Sequence, residues 1–315
     1  MTILACDMGG TRIKLGLVRD GRIIVAETIP AHSDRPLAEC LEAVSVCGRS
    51  LCERAGLELR QLAGVTLAFP SLIDVASARV LDEHGKYSDA PGFDLRGWAE
   101  TALGLRLAVD NDARMALIGE WRCGAGRGSD NVLMITLGTG LGTSVVIEGR
   151  VLRGRHGQAG CLGGHVTVDY DGRACQCGNL GCAEAQASTS VLRAMAIATS
   201  GFATSPLAEA APLDYAAVFR FAADGDPCAV EIRNRSLRVW AAMCVSLIHA
   251  YDPEILVLGG GIMASADTIL PYVREYVRKH ARTPWGTVSV VASELGDGAA
   301  LLAGEYLLAE QFPEP

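Results

Sequence analysis

The run Asp7-Met8-Gly9-Gly10-Thr11-Arg12-Ile13-Lys14-Leu15-Gly16 sets an acidic residue and two glycines between two apolar segments. Before it, Thr2-Ile3-Leu4-Ala5-Cys6 reads as a buried strand; after it, residues 15–18 read as a second. Glycines in a strand-to-strand turn let backbone N–H groups approach a phosphate, and Thr11 adds a hydroxyl and Lys14 a positive charge. Asp7 suits Mg2+ held through water, since magnesium keeps part of its hydration shell. A tight hairpin turn with no ligand fits the same residues. A second such loop, Gly138-Thr139-Gly140-Leu141-Gly142, joins a strand at 132–137 to one at 143–147. It lacks the Gly-Lys-Ser/Thr ending of a Walker loop and does not open a helix as a dinucleotide fingerprint does. Two strand–turn–strand loops of this kind fit a nucleotide clamp.

Outward from these loops, Arg19-Asp20-Gly21-Arg22 turns the chain into a strand at 23–25. A helix is expected over 37–55 and strands at 64–69 and 107–109, with a loop-rich stretch over 70–92 broken by Gly85, Pro91 and Gly92. Asp110-Asn111-Asp112 ends the 107–109 strand and opens a helix to about 122; one of these residues can cap the helix, and the carboxylates can bind hydroxyls and accept a proton. Helices are expected over 188–198, 214–223, 227–250, 268–280 and 299–310, and strands at 255–258 and 288–291, the former running into Gly259-Gly260-Gly261. Each half thus opens with a strand, a glycine turn and a strand, a weak internal duplication that implies two α/β lobes facing each other across a ligand-binding cleft.

His165, Cys175, Cys177 and Cys182 are spaced His-x9-Cys-x-Cys-x4-Cys, with Gly178 and Gly181 inside the loop. Three thiolates and an imidazole are a closed ligand set for structural zinc; buried core thiols are the plainer alternative. The remaining eight of eleven cysteines read as reduced core residues of a cytoplasmic protein, because a chain of 315 residues is far longer than a disulfide scaffold. A net charge of −8 argues against a general nucleic-acid or anionic-membrane partner, although Arg150, Arg153 and Arg155 form a local basic cluster. No signal peptide or membrane span is read in the sequence, and half of the residues are hydrophobic, enough for a sizeable core.

Together these motifs resemble the ROK family of sugar kinases, within the actin-like/hexokinase superfamily. The resemblance rests on residues 7–18, 70–74, 111–112, 136–149, 165–184 and 257–262. It implies a two-lobed actin-like, ribonuclease H-like ATPase fold with a zinc-bound loop over 156–184. The expected small N-terminal lobe is 1–113, completed by the C-terminal helix 299–315, and the large lobe is 114–298. The resemblance further implies ATP-dependent phosphorylation of a sugar hydroxyl, usually the 6-OH of a hexose or N-acetylhexosamine. Asp112 would be the base. Asp7, Gly9, Gly10, Thr11, Lys14, Thr139 and Gly140 would hold the phosphates and Mg2+, and Gly259, Gly260 and Gly261 would let the adenosine lie close. Asn111, Glu184 and one nitrogen of His165 would face the sugar, the other nitrogen binding the structural zinc. A homodimer is implied by resemblance alone.

The chain departs from the family at three places. The usual Glu-x-Gly-His is replaced by Cys161-Leu162-Gly163-Gly164-His165, which has no carboxylate; Pro-Gly becomes Pro70-Ser71; and Lys86 stands in the substrate loop Gly85-Lys86-Tyr87. Losing a charged hydroxyl acceptor costs about 1.5–3 kcal/mol. A modified or acidic sugar met by Lys86 or His156 is the alternative substrate. Two other classes compare unfavourably: a repressor, because Asp7 starts the core with no space for a helix-turn-helix, and a non-catalytic sugar sensor, because Asp7, Thr11, Asp112 and Thr139 are all present.

Overall fold

The computed structural model describes residues 1–82 and 86–313; the expected breaker Gly85 and residues 314–315 of the C-terminal segment lie outside the described residues. The strands are β1 (Thr2–Met8), β2 (Arg12–Arg19), β3 (Arg22–Pro30), β4 (Val65–Phe69), β5 (Ile73–Asp74), β6 (Arg79–Val80), β7 (Leu107–Asn111), β8 (Val132–Leu137), β9 (Leu141–Ile147), β10 (Arg150–Val151), β11 (Ile255–Gly259) and β12 (Ser289–Ala292). The chain divides into two compact units: Met1–Gly128 with Arg153–Ala159 and Glu294–Pro315, and Ser129–Leu152 with Gly160–Ser293.

The first unit is built on a five-stranded sheet in the order β3-β2-β1-β4-β7. β1, β2 and β3 pair antiparallel, while β1, β4 and β7 run parallel. The second unit repeats the pattern as β10-β9-β8-β11-β12, with the hairpin strands antiparallel and β8, β11 and β12 parallel. The internal duplication read from the two glycine turns is therefore a duplication of sheet topology. The parallel strands β4 and β7 are buried along their whole length, which is why Val65-Thr66-Leu67-Ala68-Phe69 shows no alternation.

Helices clothe each sheet. In the first unit, Leu37–Arg54 buries Leu37, Leu41, Val44 and Leu51 at helical spacing. Asp112–Cys123 starts directly from β7. The first unit takes this helix whole, whereas the boundary expected at 113/114 runs through it. The expected C-terminal helix is two pieces, Ala299–Leu302 and Gly304–Gln311, both in this unit. In the second unit, Pro227–Tyr251 crosses the core and places Trp240, 1% exposed, so that its indole donates to the Ala187 carbonyl at 2.9 Å. The expected 188–198 helix is present as Thr189–Ala198; extended Ser188 separates it from a short helix before it, Ala183–Ala187, whose last carbonyl takes that bond. The stretch 70–92 holds the small β5–β6 hairpin, and an unexpected helical turn, Leu95–Trp98, is capped by Asp94, which accepts from Gly97 N at 3.0 Å. Among the described residues no helix is long and apolar enough to cross a membrane.

One buried ionic cluster fixes the end of β7. Asp110 has no exposed side-chain surface; its Oδ1 accepts from Arg114 Nη1 at 2.9 Å and from Asn111 N at 2.8 Å, and its Oδ2 accepts from Arg153 Nε at 2.8 Å. Arg114, also fully buried, donates onward to the carbonyls of Gly157 and Ala159. Arg153 also grips Glu310, at 2.7 Å. The Arg153 of the basic cluster is thus engaged inside the fold and is not a docking charge. Asp110→Ala leaves two arginines without their carboxylate, and removing one partner of a buried pair costs about 3–5 kcal/mol. The expected result is a loss of that size in urea unfolding; a loss under about 1 kcal/mol would mean the cluster is hydrated and structurally minor.

Candidate functional site

In the first unit, Asp112 is the first residue of its helix, and Asn111 is the cap. Asn111 Oδ1 accepts from Ala113 N at 3.1 Å and Arg114 N at 3.3 Å, while its Nδ2 donates to Ser71 O and to Asp112 Oδ1, both at 3.0 Å. A side-chain amide offers two donors and two acceptor sites, so all four are committed within the chain. The expected sugar contact of Asn111 requires exchange of one of these bonds, and its direct effect is to orient Asp112. Ser71, in place of the family's glycine, supplies one of the anchoring carbonyls.

The Asp112 carboxyl is pushed up to about 6, first by burial and then by the charge of Asp7; a bond from Ala113 N, the charge of Lys86 and the Asn111 amide pull the other way. Asp7 is itself raised by burial, with Lys14 opposing and Asp297 reinforcing the rise. Asp7 and Lys14 are cross-strand partners in the β1–β2 register, which brings Lys14 Nζ to 3.7 Å from Asp7; it lies 3.0 Å from Asp297. Lys14, expected among the phosphate ligands, is therefore held between two carboxylates.

The Gly9-Gly10 turn is laced to the loop that carries Lys86 and Tyr87. Tyr87, with no exposed surface, donates its hydroxyl to Gly9 O at 2.8 Å and its N–H to Ser33 O at 2.9 Å. Ser33 Oγ donates to Gly10 O at 2.7 Å. Neither Tyr87 nor Ser33 was a candidate from sequence; no motif marks them, and only chain folding brings them to the turn. Lys86 lies against Gly10, where a Cβ would meet its Cε at 2.6 Å. Thr11 is exposed, and its carbonyl accepts from Ala31 N at 3.0 Å. His156 is exposed.

In the second unit the other glycine turn is braced from below. Gly138 O and Thr139 O accept from Thr189 N at 3.0 Å and Ser190 N at 3.1 Å, leaving the Thr139 side chain exposed. Glu184 Oε2 accepts from Leu141 N at 2.8 Å, and a Cβ on Gly140 would lie 2.5 Å from that oxygen. Gly140 is thus small because Glu184 occupies the space. Gly163 N donates to Thr143 Oγ1 at 2.8 Å, and Gly164 packs directly on the Leu141 carbonyl. At the end of β11, Gly260 has φ +91°, and a side chain there would strike the backbone of Leu137; Gly261 faces open space.

His165, Cys175, Cys177 and Cys182 converge, with their ligand atoms all within 4.8 Å of one another. Cys177 Sγ and Cys182 Sγ are 3.6 Å apart, and Cys175 Sγ is 3.5 Å from His165 Nδ1. A tetrahedral zinc with Zn–S of about 2.3 Å and Zn–N of about 2.0 Å spaces two sulfurs about 3.8 Å apart and a sulfur and nitrogen about 3.5 Å apart. The donor set therefore fits zinc in chemistry and in size. Nδ1 is the imidazole atom turned to the thiols, which leaves Nε2 for another partner. Burial pushes the Cys182 thiol up to about 12, so metal entry must displace its proton.

Cys177→Ser is expected to abolish stoichiometric zinc in metal analysis of the purified protein and to lower the melting temperature. The protein prepared with excess chelator should melt at the same lowered temperature as the variant. An unchanged zinc content in Cys177→Ser would remove Cys177 from the ligand set.

Comparison with known proteins bears on the whole chain. A glucokinase of Thermotoga maritima is 30% identical over 327 residues, covering 99% of this chain and 98% of its own. An N-acetylmannosamine kinase of Escherichia fergusonii is 31% identical over 312 residues, covering 98% and 99%. The crystal structure of a ROK family glucokinase from Streptomyces griseus, in complex with glucose and AMPPNP, superposes with a TM-score of 0.78 at 29% identity, covering 98% of this chain and 99% of that one. The family model described as "ROK family" matches residues 3–311, and the chain belongs to the ROK family.

Proposed function

We propose that this ROK-family sugar kinase transfers the γ-phosphoryl group of ATP to the 6-hydroxyl of a hexose or N-acetylhexosamine. The observation that carries the reading is Asp112: a carboxylate raised to about 6, oriented by Asn111, at a helix start next to the first glycine turn. A group with that pKa is ionised at neutral pH yet basic enough to take a hydroxyl proton. The similarity to a glucokinase and to an N-acetylmannosamine kinase supports a hexose-sized acceptor.

In the proposed reaction, the Asp112 carboxylate accepts the hydroxyl proton as the sugar oxygen forms its bond to the γ-phosphorus. The bond from that phosphorus to the bridging oxygen breaks, and ADP leaves with the electron pair. Catalysis of such a transfer is mostly positioning and charge neutralisation. Gly9, Gly10 and Thr11 would receive phosphate at one turn, Thr139 and Gly140 at the other. Gly259, Gly260 and Gly261 would lie along the adenosine. His165 Nε2 would face the sugar, and Glu184, whose Oε2 is bonded to Leu141 N, would offer its second oxygen. Asp7 fits Mg2+: burial disfavours its charge, and a divalent cation would restore it. The magnesium would supply charge neutralisation at the phosphates. The zinc would order the loop that carries His165, because its four protein ligands leave no open position.

The direct test is ATP consumption over a sugar panel, with the phosphorylated carbon located by NMR. Turnover confined to acidic sugars, or attachment away from C6, would overturn the acceptor named here. Asp112→Asn should lower kcat by about 10²- to 10⁴-fold, the usual contribution of a general base. The profile of kcat/KM should rise with pH through an apparent pKa near 6, since the ionised form is the base. The sign for stability is opposite. A folded-state pKa raised above the ordinary aspartate value means that the native state binds the extra proton in the window up to about 6, so this group's contribution weakens as pH rises through it. Asp112→Asn should therefore be no less stable than the parent at pH 7 in a thermal melt; a large loss would show that Asp112 is structural.

A further inference from the structure

Lys86 is a second cation at the first glycine turn, besides the exposed Arg12 that ends it. Lys14 follows the turn in sequence, but its ammonium lies between Asp7 and Asp297. Lys86 makes no ion pair within 4.0 Å among the described residues, and its side chain lies across Gly10. A Cβ built on Gly10 would stand 2.9 Å from Lys86 Cδ, 2.6 Å from Cε and 3.1 Å from Nζ, so the aliphatic stem fills the space that glycine leaves open. The position is enforced from the next residue. Tyr87 is buried at φ +52°, its hydroxyl bonded to Gly9 O and its N–H to Ser33 O, and Ser33 closes the ring by donating to Gly10 O. A lysine carries large rotamer entropy, and here three hydrogen bonds fix the backbone at its base against the same turn that its ammonium overlooks.

We propose that Lys86 binds the phosphoryl group in transfer, its ammonium neutralising the non-bridging oxygens beside the Gly9-Gly10 turn, and that it is not a sugar contact. The proposal rests on the kinase reading above. The groups that face Asp112 are Asp7 from β1 and Lys86, with Lys14 and Asp297 beyond Asp7. Lys86 therefore serves the base as well: its charge favours the ionised form of Asp112. A compact ammonium is suited to this task, because it acts as a point charge on phosphate without demanding a bidentate partner.

Lys86→Met and Lys86→Arg would be compared with the parent enzyme on its best neutral sugar, with melting temperatures recorded for each. Lys86→Met should lower kcat by about 10²-fold, the scale for removing one group that stabilises transition-state charge, with the KM for sugar within about 3-fold of the parent. Its acid limb should move to higher pH, because the cation that favoured ionised Asp112 is gone. Lys86→Arg should recover part of kcat and restore the limb. A rise in the KM for sugar with kcat intact would overturn the proposal in favour of a sugar contact, as would selective loss of activity on an anionic sugar. Parent-like kcat and pH profile in Lys86→Met would overturn it outright. A parent enzyme inert with ATP on every sugar is a separate outcome, which refutes the kinase reading and the Lys86 role with it.

Discussion

Asp110, a carboxylate with no exposed surface, determines where Asn111 and Asp112 sit in the first unit. Its two oxygens are divided among the Arg114 and Arg153 guanidinium groups and the Asn111 N–H. Asp110 lies in β7 and Arg114 in the first turn of the helix that follows, so the pair fixes how the helix leaves β7. With that exit fixed, Asn111 falls at the cap and Asp112 at the first helical position, where the helix dipole favours a negative charge. Arg114 then holds the carbonyls of Gly157 and Ala159, and Arg153 holds Glu310 near the end of the chain. Three separated stretches of sequence are thereby secured to one strand end. A hydrophobic cluster of similar volume would cost less desolvation, but it would not dictate the direction of the helix.

The electrostatics of the same unit explain why a cation is wanted there. The charge of Asp7 is the second cause, after burial, of the rise at Asp112. Lys14 relieves Asp7 but is shared with Asp297. Asp7, Asp112 and Asp297 balance Lys14, Lys86 and the exposed Arg12, and a nucleotide would add more negative charge. In the proposed reaction a magnesium ion at Asp7 and the ammonium of Lys86 would be complementary answers to that added charge.

Much of this was legible in the sequence, and the reason is local. The apolar runs of β1, β4 and β8, the Asp-Gly hairpin, and the spacing of His165, Cys175, Cys177 and Cys182 each express a short-range rule of backbone or ligand geometry. The Asp110–Arg114 pair had no such signal, because Asp110 lies in β7 and Arg114 in the helix that follows, so helical spacing does not relate them. What also escaped were contacts between residues far apart in the chain. Nothing in Ser33 or Tyr87 announces that both will bond to the Gly9-Gly10 turn, and nothing in Glu184 announces the Leu141 N–H. Asn111 was ambiguous for another reason: the same amide suits a helix cap and a sugar hydroxyl, and its capping bonds emerge only in the folded chain.

The candidate metal loop is fastened through the two glycines that precede His165. Gly164 packs so closely on the Leu141 carbonyl that no side chain fits, and Gly163 N is bonded to Thr143 Oγ1, which in turn donates to Gly160 O at 2.6 Å. Both contacts are to β9, the strand that leaves the second glycine turn. Glu184, two residues beyond Cys182, reaches the same turn at Leu141 N. The loop is therefore fastened to this turn on both sides of its four ligands. A zinc ion held by those ligands would tie the two fastenings into one body. By this argument, loss of metal should loosen the glycine turn as well as the loop itself, which is a structural role extending past the ligands without any participation in bond making.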